Sequence, residues 1–166
     1  MLFLPKPLSI RHAVIEDSDF FLMLYRDSRD DLLAAPIAGA VKEHLIQMQF
    51  LAHRRGIEQQ YPNAIYFVVS NNAQPIARLV ISIEENELRL IDVLVHSSAR
   101  LQGTGSLLIA ALKNYVDQNL LSMSLSVIRT NSVALHIYRK YGFVDIEDDG
   151  FVMQMCYRTV GQTASM

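Results

Sequence analysis

Apolar and polar residues alternate along the chain with two different periods, and these periods divide it into strands and helices. Period-two and continuous apolar runs predict strands at 8–14, 64–70, 76–84, 88–95, 121–128, 143–147 and 150–158. Helical periods predict helices at 16–28, 39–61, 105–119 and 131–142. In the second helix the period places Val41, Leu45, Met48 and Ala52 on the core face, widened by Ile46, Gln49, Phe50 and His53.

The order of these elements is β-α-α-β-β-β-α-β-α-β-β, which indicates one α/β (α+β) domain. The second, third and fourth strands are joined by hairpin-length connections, so they are predicted to form an antiparallel meander. We therefore expect a mixed, mostly antiparallel central sheet of about seven strands flanked by four helices. The 166 residues favour a single domain over 1–166, with an ordered core at about 8–158 and a tail at 159–166.

Composition narrows the possible partners. Hydrophobic residues make up 51% of the chain and charged residues 19%, which is typical of a globular protein. The net charge of −2 lacks the basic excess of a nucleic-acid-binding domain. No apolar run reaches the roughly 18 residues of a membrane span, so we expect a cytoplasmic protein that binds neither nucleic acid nor membrane. The single cysteine, Cys156, is interpreted as a small buried side chain, and no metal site is predicted.

The stretch "RLQGTGS" at 100–106 joins a predicted strand to a predicted helix. Bare backbone at the start of a helix directs N–H groups and the positive end of the helix dipole toward one point, where an anion can bind. The stretch does not match a P-loop, because Ser106 follows Gly105 without a lysine. It does not match the dinucleotide-binding fingerprint either, because Leu108 replaces the third glycine. From these residues alone, an ordinary turn at a helix start remains an alternative.

Two blocks of sequence together resemble the GNAT superfamily of N-acetyltransferases. Residues 100–105 read R-x-x-G-x-G, which is similar to the acetyl-CoA pyrophosphate loop of that family. The segment "NSVALHIYRKYGF" at 131–143 is similar to the family pattern N-x-x-A-x-x-x-Y-x-x-x-G-F. The resemblance covers 8–158 in element order and 91–143 in motifs. It implies acetyl-CoA as cofactor and direct acetyl transfer to a primary amine of a small molecule or peptide.

The resemblance also implies a cofactor site. Backbone groups at the end of the fourth strand would pair with the pantetheine arm, and N–H groups of the glycine loop would hold the pyrophosphate. Side chains of Arg100 or Gln102 would add phosphate contacts, although a solvated arginine is the alternative for Arg100. Asn131 is expected to contact the cofactor, to cap the following helix, or both. The residues assigned to the cofactor are Val93, Leu94, Val95, Arg100, Leu101, Gln102, Gly103, Thr104, Gly105, Ser106, Asn131 and Tyr138.

Amine acetylation requires a base, an oxyanion donor and an acid for the departing thiolate. The resemblance assigns the acid to Tyr138, with a packed helix tyrosine as the alternative, and the oxyanion donor to the backbone N–H near Leu94 or Val95. Asp92 is the candidate base, although an ion pair with Arg78 or Arg89 is its competing interpretation. His96 and a water path through Glu84 or Glu87 remain open as other bases.

The acceptor is expected between the first two helices and the last hairpin. Acidic residues there would attract a cationic amine, although a solvated loop and hairpin tip explain such runs better; they are Asp27, Asp30, Asp31, Glu147, Asp148 and Asp149. Cys156 lies outside both motifs, which disfavours a covalent enzyme intermediate. The alternative function is a catalytically inactive acyl-CoA-binding or regulatory module. Exposed edge strands make a homodimer possible.

Overall fold

The computed structural model describes residues 2–159, so nearly all of the predicted tail lies outside the described residues. The strands are β1 (Leu8–His12), β2 (Ile65–Asn71), β3 (Gln74–Glu84), β4 (Glu87–Val95), β5 (Ser122–Ile128), β6 (Val144–Asp148) and β7 (Val152–Arg158). The helices are α1 (Ser18–Asp27), α2 (Asp30–Ala34), α3 (Gly39–Gln60), α4 (Thr104–Gln118) and α5 (Ser132–Lys140). Short 3₁₀ turns cover Ile15–Asp17 and Ser97–Ala99. None of the helices within 2–159 is long and apolar enough to cross a membrane.

The seven strands form one sheet in the order β1-β2-β3-β4-β5-β7-β6. All neighbouring pairs are antiparallel except β4 and β5, which run parallel. The α/β class, the meander β2-β3-β4 and the mixed sheet are therefore confirmed. The parallel pair requires a crossover, which α4 provides between β4 and β5.

The helix α2 was not among the four predicted helices. It has five residues, which is too short for a helical period to emerge from the sequence. Arg29, just before it, donates to the carboxylate of Asp31 and to the Tyr25 hydroxyl. Lys42 of α3 donates to the Leu33 carbonyl at 2.6 Å. Side-chain contacts with α1 and α3 therefore hold this short helix.

The sheet buries different residues on its two faces. The larger core lies under α4 and α5 and includes Leu88, Leu90, Leu112 and Met123. A smaller aromatic cluster lies under α1 and α3, where Phe21, Leu24 and Phe50 pack against Val68. Side chains of a strand alternate between faces, so each strand contributes to both layers.

The buried face of α3 differs in part from the predicted one. Ile46, Phe50 and Ile57 are buried, whereas Val41 and Met48 are 52% and 54% exposed. The helix carries apolar residues on more than one side, so the period alone does not select the inner face. The ring of Phe50 lies 5.7 Å from that of Tyr25 on α1, and this packing orients the helix. Gly56 lies within α3, which continues to Gln60.

A β-bulge interrupts β4. Leu90 pairs with Ile81 and Asp92 pairs with Val80, so Ile91 is an extra residue that pairs with no residue of β3. Bulges bend a strand and increase its local twist. Because the extra residue resets the alternation, Arg89 and Asp92 lie on the same face of β4 although they are three positions apart.

The parallel pairing of β4 and β5 ends at the same bulge. It joins Glu87–Leu90 to Ser122–Leu125 and goes no further. The last part of β4, residues 91–95, has no partner on the β5 side, whereas β3 continues to pair with it on the other side. A gap between two diverging strands therefore opens in the middle of the sheet.

Candidate active site

The gap exposes backbone groups of β4. The His96 N–H donates to the Ile76 carbonyl of β3 at 2.8 Å. Backbone groups alternate in direction along an antiparallel strand, so the Leu94 N–H also points to β3 while those of Val93 and Val95 point into the gap. Of the two oxyanion donors expected from sequence, the Val95 N–H is the one directed at the gap.

The glycine loop follows immediately and ends at the start of α4. Leu101 and Gly103 have positive φ angles of 59° and 82°, and Gly103 is the residue that precedes the helix. A positive φ is costly for most residues but not for glycine. The first regular helical bond runs from the Leu107 N–H to the Gly103 carbonyl at 2.9 Å. The N–H groups of the first turn therefore have no acceptor within the helix.

No side chain caps α4. The helices α1, α2 and α3 also begin without a side-chain cap, whereas the Asn131 side chain caps α5 by accepting from the Ala134 N–H at 3.1 Å. What distinguishes α4 is that its start follows the glycine loop beside the gap. Capping side chains normally satisfy the free donors at a helix start, and an anion can take their place. Thr104 is buried, and its hydroxyl donates back to the Ala99 carbonyl, away from these donors. The uncapped start of α4, from Gly103 to Ser106, therefore fits a phosphate group.

Gly105 lies in this first turn and faces α5. A Cβ at this position would meet the Ile137 side chain at 3.6 Å, which is an ordinary contact. A methyl group therefore fits the protein itself, whereas a long side chain has no room on that side.

The side chains of Arg100 and Gln102 are bonded within the protein. Arg100 donates to the carbonyls of Val95 and Asp27, both at 2.9 Å. Gln102 donates to the Ser98 carbonyl at 2.7 Å. These two side chains were expected to contact phosphate, and the structure places both on backbone carbonyls.

Tyr138 lies on α5 and packs against the larger core, with its ring 5.6 Å from that of Phe143. Burial raises the pKa of its hydroxyl to about 12, and the negative charge of Asp92 adds to the effect. The two side chains therefore lie within electrostatic range of each other. The phenol is therefore protonated at neutral pH and holds a proton that it can donate.

Asp92 forms an ion pair with Arg78 on β3 through the Arg78 Nε at 3.1 Å and a closer Nη2 contact. The Arg78 side chain is 3% exposed, and its guanidinium lies 5.3 Å from the ring centre of Phe21. Of the two arginines considered from sequence, Arg78 is the partner. Arg89 instead donates to Ser124, Ser126 and Gln154.

The other possible bases lie apart from the gap. His96 has its Nδ1 2.7 Å from the Ser98 hydroxyl and its Nε2 3.7 Å from the Asp27 carboxylate. Glu84 and Glu87 pair across the β3-β4 hairpin, at the opposite end of β4 from residues 91–95. His96 thus belongs to the turn before the glycine loop, and the two glutamates lie at the hairpin end of β3 and β4.

Several of the acidic residues expected to attract an amine are engaged within the protein. Asp31 pairs with Arg29, and Asp148 pairs with Arg129 at 2.9 Å. Asp149 accepts from the N–H groups of the hairpin turn, and these bonds lower its pKa. These charges stabilise the α2 region and the β6-β7 hairpin. Cys156 is half-buried on β7, opposite Ser124 in register.

The sequence did not point to His53 of α3. Its ring packs 5.6 Å from that of Tyr25. Burial lowers its pKa, with the charges of Asp92 and Arg78 acting in opposite directions, so the imidazole is neutral at pH 7. Its Nδ1 is shielded from solvent and has no hydrogen-bond partner among residues 2–159. The only sequence signal was a titratable residue on an otherwise apolar helix face.

Comparisons with known proteins agree with this geometry. The family model described as the acetyltransferase (GNAT) domain matches residues 62–145. The PaiA N-acetyltransferase of Thermoplasma acidophilum, solved in complex with coenzyme A, has a TM-score of 0.67 at 22% identity, over 91% of this chain and 98% of its own. The ribosomal-protein-S18-alanine N-acetyltransferase of Escherichia coli has a TM-score of 0.62 at 18% identity, over 91% and 93%.

The spermidine N-acetyltransferase of Vibrio cholerae, solved with coenzyme A and spermine, has a TM-score of 0.64 at 16% identity, over 93% of this chain and 97% of its own. At these identities the solved structures establish the shared fold alone. No curated protein matches the sequence. The family model, however, spans just over half of the chain and includes β4, the glycine loop and α5. The chain therefore belongs to the GNAT acetyltransferases, whose cofactor is acetyl-CoA.

Proposed function

We propose that the protein is an acetyl-CoA-dependent N-acetyltransferase that transfers the acetyl group directly to a primary amine of a small molecule or peptide. The observation that carries the proposal is the uncapped start of α4 beside the open gap in the sheet. A phosphate-binding helix start and an unpaired strand end are what an extended, pyrophosphate-containing cofactor requires. When bound, acetyl-CoA supplies the thioester.

The residues that would hold the cofactor fall into two groups. N–H groups from Leu101 to Ser106 bind the pyrophosphate, because they lack acceptors within α4. Backbone groups of Val93 and Val95 pair with the pantetheine arm and polarise the reacting carbonyl from the gap. Asn131 keeps α5 capped next to the loop, so it contributes chiefly by fixing that helix.

Tyr138 is the proposed acid. Because burial raises its pKa to about 12, Tyr138 keeps its proton at neutral pH and can donate it to the alkyl thiolate as that group leaves. A thiol has an ordinary pKa of about 8.5, so this transfer is uphill, and the phenolate of Tyr138 then regains a proton from solvent. The position of Tyr138 on α5, with Asp92 near the same gap, supports this role.

Two residues are proposed for the acceptor's proton. Asp92 is the candidate from sequence, and its carboxylate is ion-paired with Arg78. His53 lines the same cavity as Arg78, and as a neutral imidazole it is in the protonation state that a base requires. The acceptor would then approach from the side of α1, α3 and the β6-β7 hairpin, and the chemistry needs no covalent intermediate on Cys156.

The pairing of Asp92 also supports the second candidate, an acyl-CoA-binding module without catalysis. A panel of primary amines and short peptides, assayed for release of free thiol from acetyl-CoA, separates the two. Acetyl transfer to any member supports the enzyme. Calorimetric binding of coenzyme A without transfer to any amine supports the module, and absence of coenzyme A binding contradicts both.

Replacement of Tyr138 by phenylalanine is expected to lower kcat by roughly 100-fold, since general acid catalysis contributes about 10²–10⁴. Coenzyme A affinity should be retained, because the phenyl ring keeps the packing on Phe143. Because its pKa is raised, the phenol of Tyr138 loses its proton only as the pH rises through about 12. Its ionisation should therefore not reduce the wild-type rate near the ordinary tyrosine pKa of about 10.

Steady-state kinetics as a function of pH, with the first amine that the panel identifies as an acceptor, measure kcat for the wild type and for Tyr138→Phe. Tyr141, the residue that follows the end of α5, provides the matched control, and Tyr141→Phe should leave kcat within about twofold. An unchanged kcat in Tyr138→Phe would show that another group protonates the thiolate.

A further inference from the structure

The C-terminal end of α1 is tied to the strand end and turn that lead into the glycine loop. The Asp27 carboxylate accepts from the Ser97 N–H at 3.3 Å and from its hydroxyl at 2.9 Å. The His96 ring lies 3.7 Å from the same carboxylate. Burial opposes the charge of Asp27, but the Ser97 bonds and the electrostatic effects of His96 and Arg100 outweigh it and lower its pKa. The ionised form of the Asp27 carboxylate is therefore favoured in its contact with Ser97.

Arg100 connects the same two elements from the loop side. Its Nε donates to the Val95 carbonyl at the end of β4, and its Nη2 donates to the Asp27 carbonyl at the end of α1. The half-buried guanidinium of Arg100, the first residue of the glycine loop, thus links the end of β4 beside the gap to the end of α1. Its planar set of donors can reach two carbonyls at once, which an ammonium group does less well.

The segment after α1 is anchored to the neighbouring helices. Arg29 joins residues of α1, α2 and α3 through Tyr25, Asp31 and Gln49. Lys42 fastens the end of α2 to α3. Residues 28–38 therefore form a segment whose position depends on α1 at one end and on α3 at the other.

We propose that Arg100 is a positioning residue that couples occupancy of the cofactor loop to the order of segment 28–38, which joins α1 to α3, the two helices on the side from which the acceptor is proposed to approach. The inference rests on the proposed function for the location of the acceptor. A ligand that fixes residues 101–106 fixes the backbone that carries Arg100, and Arg100 holds the end of α1. Coupling between two sites is reciprocal, so a bound acceptor must also raise the affinity for the cofactor.

Hydrogen exchange of the full-length protein with coenzyme A as the probe tests this before any acceptor is known. Saturating coenzyme A should slow amide exchange in 28–38 by about fivefold or more, in addition to 101–106, as expected for couplings of this kind. In Arg100→Ala and Arg100→Lys the protection of 101–106 should remain and that of 28–38 should be lost. Arg54→Ala, which removes an exposed arginine of α3, should behave as the wild type.

The outcomes are distinct. If the wild type binds coenzyme A by calorimetry and segment 28–38 stays unprotected, the coupling is wrong while the proposed function stands. If the wild type does not bind coenzyme A, the proposed function fails first. If Arg100→Ala lowers coenzyme A affinity but keeps 28–38 protected at saturation, Arg100 is a phosphate ligand instead. With an acceptor in hand, Arg100→Ala should raise the KM for the acceptor more than the KM for acetyl-CoA.

Discussion

Replacement of Asp92 by alanine should lower the free energy of unfolding by about 3–5 kcal/mol, because it leaves the Arg78 guanidinium buried without its counter-charge. Arg78 is enclosed by the aromatic cluster under α1 and α3 and cannot easily turn to solvent. Urea denaturation at neutral pH measures the loss. A change below about 1 kcal/mol would mean that Arg78 finds another partner.

The double variant Arg78→Met with Asp92→Leu is the matched control, since replacing both members of a buried pair by apolar residues is often neutral or stabilising. It should recover most of the stability lost in Asp92→Ala. It also separates the two candidate bases. A folded double variant with normal turnover would exclude Asp92 as the base and favour His53, whereas a folded and inactive one would favour Asp92.

Replacement of Gly105 by arginine should weaken coenzyme A binding by about 100-fold or more, equivalent to roughly 2.7 kcal/mol. The new side chain cannot enter the contact with Ile137 and must extend over the first turn of α4, where the phosphate would lie. Calorimetric titration with coenzyme A measures the change, and circular dichroism checks that the fold is kept.

Gly56→Arg is the control for this substitution. Gly56 also lies within a helix, α3, and a Cβ there meets nothing within 4 Å. The control should bind coenzyme A as the wild type does and be slightly more stable, because glycine is a poor helix former. If Gly105→Arg binds coenzyme A normally, the start of α4 is not the pyrophosphate site.

The sheet and the cofactor loop were predictable from sequence because their signals are local. Period-two patterns located every strand, and the glycines of 100–106 marked the point where β4 gives way to α4. The pair of blocks at 100–105 and 131–143 carried the family resemblance that the comparisons confirm. Roles for Tyr138, Asp92 and the loop residues remain proposals.

Other features depend on contacts between distant segments, which no local pattern contains. Asp92 chooses Arg78 over Arg89 because the bulge at Ile91 and the register of β3 bring Arg78 beside it. The sequence favoured Arg100 as a phosphate ligand because its partner, the Asp27 carbonyl, lies 73 positions away and no local pattern reveals it. His53 became notable only once α3 placed it against Tyr25, in the lining of the same cavity as Arg78.

The extra residue in β4 inverts the parity of the strand. Before Ile91, odd-numbered residues such as Arg89 face the side of α1 and α3; after it, even-numbered residues such as Asp92 and Leu94 do so. Leu88 and Val93 consequently share the opposite, apolar side. Deletion of Ile91 would therefore restore a regular alternation and leave the Asp92 carboxylate facing Arg78, whereas deletion of Val93 would move Leu94 to the apolar side and Val95 to the side of α1 and α3.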